Sequence, residues 1–170
     1  MSNCYFDDYC FYKSPFGLIR ICETGGFLTR ADFLEQSSES KYSQSESIQN
    51  SNILLKDACR QLGEYFEGRR QKFDLSLKPH GTEFQRSAWE SLLSIPYGET
   101  RSYLQQAEYI HNPKAIRAIG QANSRNPIPI IIPCHRVIGK NGSLTGYAGG
   151  LERKKRLLTL EHSFIHEQNC

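Results

Sequence analysis

Cys134 is followed directly by His135 and Arg136, in a stretch that three prolines, Pro127, Pro129 and Pro133, hold extended. A thiol attacks as its thiolate, and at the usual cysteine pKa only a small fraction is ionised near neutral pH. A neighbouring imidazole that takes the proton removes that limit, and a carboxylate can orient the imidazole. Arg136 adds positive potential. A single cysteine is most often an inert core residue, because free Cys is among the most buried residue types. The adjoining base and the stiffened approach point instead to a presented nucleophile. A metal site is disfavoured, since adjacent Cys and His side chains diverge and no second pair stands at ligand spacing.

The elements that must position this thiol can be read from the patterning. Tyr9–Lys13 and Leu18–Glu23 read as strands joined by the turn Ser14-Pro15-Phe16-Gly17, and Gly25-Gly26 leads into a third strand over 27–34. Residues 36–52 are rich in Ser, Gln, Glu and Asn and read as a solvated or locally disordered loop. Leu54, Leu55, Ala58, Leu62 and Phe66 follow helical spacing up to Gly68, and Phe73, Leu75 and Leu77 alternate as in a strand. The break at Lys78-Pro79-His80-Gly81 divides the chain into 1–79, a small antiparallel-sheet domain, and 80–170, a mainly helical one.

The second part opens on a capping box, Thr82 to Gln85, with Phe84, Ala88, Trp89, Leu92 and Leu93 on one face. Ser102–Ile110 makes a second helix. A third is expected to be capped by Asn112, to have Pro113 at its first position, and to bury Ala115, Ile116, Ile119 and Ala122. The last two resemble a helix-turn-helix, although helical hairpins that only build core are common. Ile130–Ile132 reads as a short buried strand that delivers Cys134. A glycine-rich stretch over 139–150 leads to a last helix near Leu151–Leu160, with a frayed tail after Glu161.

With 170 residues, 38% of them hydrophobic, a formal charge of +3 and a mean hydropathy of -0.55, the chain can hold a real core under a wet surface. A mildly basic balance permits a polyanionic partner without demanding one. No apolar run is long enough to span a bilayer, so no membrane association is expected. The first residues lack a signal-peptide pattern, which makes an intracellular protein the expectation. The six cysteines, at 4, 10, 22, 59, 134 and 170, make no framework and read as free thiols.

The segment Ile132-Pro133-Cys134-His135-Arg136-Val137-Ile138 resembles the active-site signature of the methylated-DNA–protein-cysteine methyltransferases, or O6-alkylguanine-DNA alkyltransferases. Tyr97-Gly98-Glu99-Thr100, Ser102-Tyr103, the run from Asn112 to Gly120, Asn126-Pro127, Gly146-Tyr147-Ala148-Gly149-Gly150 and Glu161 follow in the family's order, so the resemblance covers residues 80–161. In the N-terminal part it is loose, resting mainly on Ser14-Pro15-Phe16-Gly17. It implies an α+β fold with a ribonuclease H-like first domain and a helix-turn-helix in the second. It also implies repair of O6-alkylguanine, with O4-alkylthymine left open as a second substrate, by irreversible transfer to Cys134 without a cofactor. A thioether is a poor leaving group, so each molecule would react once.

The same resemblance makes His135 the base, Glu161 the carboxylate orienting it, Tyr103 the donor to the leaving guanine, and Asn126 the tie between helix-turn-helix and active-site segment. Tyr147, Ala148, Gly149 and Val137 would line the pocket. Arg117 would insert into the duplex as the base flips out, with DNA held through its minor groove against a helix bearing the small residues Ala115 and Ala118. Lys114, Arg101, Arg125 and Arg136 are candidate phosphate contacts. Ala148 departs from members with a serine there, leaving that contact to backbone N–H groups. Some members bind zinc; Cys4 and Cys22 lie near the ligand places, but Thr29 and Asp74 stand where histidines are needed, so no zinc is expected.

The expected partner is double-stranded DNA met by a monomer in the cytoplasm, or in the nucleus of a eukaryote. Alternatives are an alkyltransferase-like lesion-binding protein without reactive cysteine, a cysteine hydrolase and a transcription regulator. Cys134 itself opposes the first. The second would need an oxyanion hole and a remote His, and the third an effector or dimerisation element.

Overall fold

Alternating apolar residues separated by glycine turns build the first element of the structure, a three-stranded antiparallel meander. A computed structural model describes residues 8–34 and 51–168, with side chains described as far as Phe164. It divides into a unit ending at Pro79 and a unit beginning at His80. In the first, β1 (Asp8–Ser14), β2 (Gly17–Thr24) and β3 (Phe27–Phe33) pair in the order β1-β2-β3. The Ser14 hydroxyl closes the first turn by donating to the Gly17 carbonyl at 2.6 Å. Gly25 and Gly26 both take positive φ, 60° and 81°, in the second, a conformation that disfavours residues with a Cβ.

Helix α1 (Ile53–Phe66) is capped by the Asn52 side chain and buries Leu55, Ala58, Cys59, Leu62, Tyr65 and Phe66. The Sγ atoms of Cys10 on β1 and Cys59 on α1 lie 3.3 Å apart, so this apolar face meets the sheet. The expected strand over 73–77 is reduced to a single bridge between Leu28 and Leu77. Its backbone is claimed elsewhere: the Gln61 amide accepts from Asp74 N and donates to Asp74 O, each at 2.8 Å. The polar stretch 36–50 lies outside the described residues, as does Cys4.

In the second unit, α2 (Glu83–Leu92) and α3 (Tyr103–Tyr109) each begin with a capping box, Thr82 with Gln85 and Ser102 with Gln105. Helix α4 (Ile116–Ser124) starts later than expected. Pro113 has no N–H, and Ala115 N closes a turn onto Asn112 O at 3.0 Å, so the helical ladder opens only with Ile119 N to Ala115 O. Ala88, Ala107, Ile119 and Ala122 form the shared core of α2, α3 and α4, with Phe84, Tyr103 and Ile110 against it. Leu93 and Ile116, expected in that core, are 50% and 40% exposed, because each falls at a helix end beyond the packed face. Two polar ties add specificity: Trp89 Nε1 donates to Ala122 O at 2.8 Å, and the buried amides of Gln106 and Asn123 bond each other at 2.7 and 3.2 Å.

Strand β4 (Arg101–Ser102) runs parallel to β5 (Val137–Ile138), and α5 spans Leu151–Gln168, well past the expected stop near Leu160. Residues 162–168 therefore continue the helix rather than fray. No helix among the described residues is long and apolar enough to cross a membrane.

Candidate active site

Cys134 is delivered by a compact turn, where the run of three isoleucines suggested a strand. Ile132 N donates to Ile128 O at 2.9 Å, Ile130 takes a φ of 74°, and Ile128, Ile130, Ile131 and Ile132 are all buried. Asn126 organises this turn. Its Oδ1 accepts from Ile128 N at 3.0 Å, and its Nδ2 donates to Ile132 O at 2.7 Å and to Cys134 Sγ at 3.1 Å. Cys134 then opens a single 3-10 turn, Cys134–Arg136, with its side chain 5% exposed. Burial pushes the thiol up to about 11, against the opposing pull of the Asn126 N–H and the Lys154 charge.

The 3-10 turn sends His135 and Arg136 inward onto Glu161 of α5. His135 Nε2 lies 2.8 Å from Glu161 Oε1, and Arg136 grips the carboxylate through Nε and Nη2 at 3.0 Å each. Gly98 N donates to Oε2 at 3.0 Å, and Arg136 Nη1 to Ile95 O at 2.7 Å. His135 and Glu161 are fully buried. Burial works against the Glu161 charge, yet the hydrogen bonds and charges of His135 and Arg136 outweigh it and hold the carboxyl well below the usual range. Burial also lowers the His135 pKa, so the imidazole is neutral at neutral pH. A neutral ring facing a carboxylate carries its proton on Nε2, which leaves Nδ1 as the basic atom. Nδ1 is buried and bonded to no protein group among the described residues.

Tyr103, at the start of α3, donates its hydroxyl to Thr145 O at 2.9 Å. Lys154, which sequence reasoning missed, donates to the same carbonyl and to Val137 O, both at 2.6 Å. Its signal was helical spacing: Lys154, Leu157, Leu158 and Glu161 share the buried face of α5. Gln106 and Asn123, which pin α3 to α4, were missed as well. Val137 is fully buried and Ala148 exposed. Tyr147 has a buried hydroxyl with no hydrogen bond among the described residues, and burial raises its pKa. A Cβ at Gly149 would stand 2.6 Å from the Tyr147 ring, so the loop passes the ring at a distance only glycine permits.

Lys114, Arg117 and Ala118 lie exposed on or before α4, with Ala115 partly covered and Arg125 exposed at its end. Arg101 stacks 4.7 Å from the Tyr109 ring centroid and donates to Ser94 Oγ at 3.0 Å. Arg136, expected among the phosphate contacts, is instead buried in the ion pair with Glu161. Of the zinc positions, Cys22 is buried in β2, its thiol pushed up to about 12 by burial, and Thr29 is buried in β3. Thr29 offers a hydroxyl where a zinc site would need an imidazole.

Two family descriptions match the chain: "6-O-methylguanine DNA methyltransferase, ribonuclease-like domain" over residues 8–79 and "6-O-methylguanine DNA methyltransferase, DNA binding domain" over residues 83–163. Together they define a class that joins a ribonuclease-like domain to a DNA-binding one. The methylated-DNA–protein-cysteine methyltransferase of Methanosarcina acetivorans is 48% identical, over 91% of this chain and 98% of its own. The constitutive one of Bacillus subtilis is 47% identical, over 92% and 96%. The crystal structure of Mycobacterium tuberculosis OGT in complex with DNA matches with a TM-score of 0.80 at 45% identity, covering 92% of this chain and 94% of that one. The chain belongs to the methylated-DNA–protein-cysteine methyltransferase family. It is a DNA-repair enzyme that moves an alkyl group from DNA onto a cysteine, with DNA as its partner.

Proposed function

We propose that Cys134 removes the alkyl group from O6-alkylguanine in duplex DNA, once per molecule. The observation that carries this reading is the placement of Cys134 Sγ, 3.1 Å from the Asn126 amide, beside a fully buried His135–Glu161 pair. The thiol proton passes through a bridging water to His135 Nδ1, and Glu161 stabilises the imidazolium. The thiolate attacks the alkyl carbon in line, the S–C bond forming as the C–O6 bond breaks. The leaving guanine gains negative charge, and Tyr103 exchanges its Thr145 acceptor for N3 of the base. The thiol proton ends, in net terms, on the freed guanine. Tyr147, Gly149 and Val137 line the pocket, and backbone N–H groups meet the guanine oxygen where Ala148 offers no hydroxyl.

The exposed face of α4 supports a minor-groove approach by a monomer. Its small side chains let the helix backbone approach the sugar–phosphate walls. Arg117 enters the stack vacated by the flipped base, whose extrusion costs about a few kcal/mol. Lys114 and Arg125 meet phosphates. Incubation with an oligonucleotide carrying O6-methylguanine, followed by intact-protein mass, tests the reading. One added methyl group, mapped to Cys134 and absent in Cys134→Ala, is expected. Binding without mass gain would mark a lesion-binding protein instead. The same assay with O4-methylthymine asks whether the pocket also takes the pyrimidine lesion.

A further inference from the structure

We propose that Lys154 is a positioning residue for alkyl transfer: its ammonium clamps the two carbonyls that frame the pocket beside Cys134 and, through the one it shares with Tyr103, aims the tyrosine hydroxyl. A lysine with no solvent exposure is uncommon and needs a reason. Here Nζ donates at 2.6 Å to Val137 O, three residues after Cys134, and at 2.6 Å to Thr145 O in the glycine-rich stretch. Thr145 O also receives the Tyr103 hydroxyl at 2.9 Å, and Nζ lies 5.9 Å from the Tyr103 ring centroid. One cation therefore joins β5, the glycine-rich stretch and the first turn of α3. When Tyr103 turns to the leaving base, Thr145 O keeps a donor and the pocket wall keeps its place.

The charge matters as well as the clamp. The titratable groups facing Lys154 are Cys134 and His135 on the 3-10 turn and Tyr103 on α3. A positive charge there favours the Cys134 thiolate and disfavours protonated His135. Burial pulls Lys154 down to about 8, so the charge is lost in mildly alkaline solution. Over that range Cys134 stays a thiol, pushed up to about 11, and burial raises Tyr103 and Tyr147 further from it. His135 is already neutral.

The inference rests on Cys134 as the acceptor, which the mass gain of the native protein checks independently. The test measures single-turnover methyl transfer from a saturating O6-methylguanine duplex between about pH 7 and 9.5, for native protein, Lys154→Met and Lys154→Arg, with DNA affinity and thermal midpoint alongside. The native rate should fall as pH rises through about 8. Lys154→Met should be slower by about tenfold, one pKa unit on the nucleophile, with no alkaline fall and unchanged affinity. Lys154→Arg, whose guanidinium stays charged, should also lose the alkaline fall. A native rate that does not fall through this range overturns the proposal, as does a fall that persists in Lys154→Arg. If Lys154→Met does not fold, the arginine profile decides alone. A native protein that gains no mass at Cys134 refutes the acceptor assignment instead.

Discussion

Asn126 Nδ2 points at Cys134 Sγ from 3.1 Å, while the other two bonds of the same amide hold the turn that carries the cysteine. One side chain thus couples the shape of the turn to the state of the thiol. Asn126→Ala strands Ile128 N, at about 1–3 kcal/mol for a buried group left unpaired, and leaves Ile132 O with the Cys134 N–H as its donor. Asn126→Asp can still accept from Ile128 N but presents no N–H to sulfur and sets a negative charge against it. The aspartate variant should lose more alkyl-transfer rate than stability, and the alanine variant should lose both. Chemical denaturation beside a single-turnover assay distinguishes them; equal profiles for the two variants would contradict the coupling.

Glu161 carries the next expectation, because its carboxylate is shared by His135 and Arg136. Glu161→Gln leaves the Arg136 guanidinium buried without its counter-charge, which costs about 3–5 kcal/mol for a broken buried pair. The pH dependence follows from two lowered pKa values. Glu161 lies below its ordinary 4.5 and His135 below its ordinary 6.5. Each contributes stability that is present above its ordinary value and lost as pH falls toward the folded one. Native protein should therefore weaken on acidification below 6.5 and more steeply below 4.5, whereas Glu161→Gln should keep only the smaller part of the second steepening that Asp57 and Glu64, also lowered by their arginine partners, contribute. Urea midpoints across the acid range read this directly, and a variant that keeps the whole steepening would reassign it to other carboxylates.

Gly146 controls the tyrosine. Its φ is 60°, and a Cβ built there would stand 2.9 Å from Tyr103 Oη. Gly146→Ala combines a strained conformation with a collision at the hydroxyl that bonds Thr145. The variant should bind lesion DNA normally and transfer the methyl group more slowly, a split visible when affinity and single-turnover rate are measured together. A drop in affinity with an unchanged rate would mean that the tyrosine is not displaced.

Much of this arrangement was legible in the residues. Capping boxes at Thr82 and Ser102, the glycine turn at Gly25-Gly26 and the helical spacing of α1 are local signals, and each produced its element. Ile130–Ile132 misled because a buried apolar run looks alike in a strand and in a tight turn, and only the Ile128 carbonyl decides between them. Residues 73–77 misled because the Gln61 amide, distant in sequence, takes the backbone bonds a strand would use. Glu161 read as a surface acid until the family resemblance assigned it. Lys154 was invisible because charge argues for exposure, and only the 3.6-residue period placed it among Leu157, Leu158 and Glu161.

The basic side chains of the second unit divide into two kinds, which salt and substrate can tell apart. Lys114, Arg117 and Arg125 are exposed along α4, whereas Arg136 is buried with both partners inside the fold. Replacing Lys114 or Arg125 by Ala should lower the slope of log affinity against log salt by about 0.9 for each phosphate no longer neutralised. Thermal stability should hardly change, because exposed charges contribute little. Arg136→Lys should do the reverse, since a lysine cannot reproduce the forked grip on Glu161, so the thermal midpoint falls while the salt slope stays. Arg117→Ala should slow reaction with a lesion in duplex DNA far more than reaction with the free modified base, because only the duplex needs a residue to fill the vacated stack. Equal slowing on both substrates would remove Arg117 from base extrusion and leave it a phosphate-binding side chain.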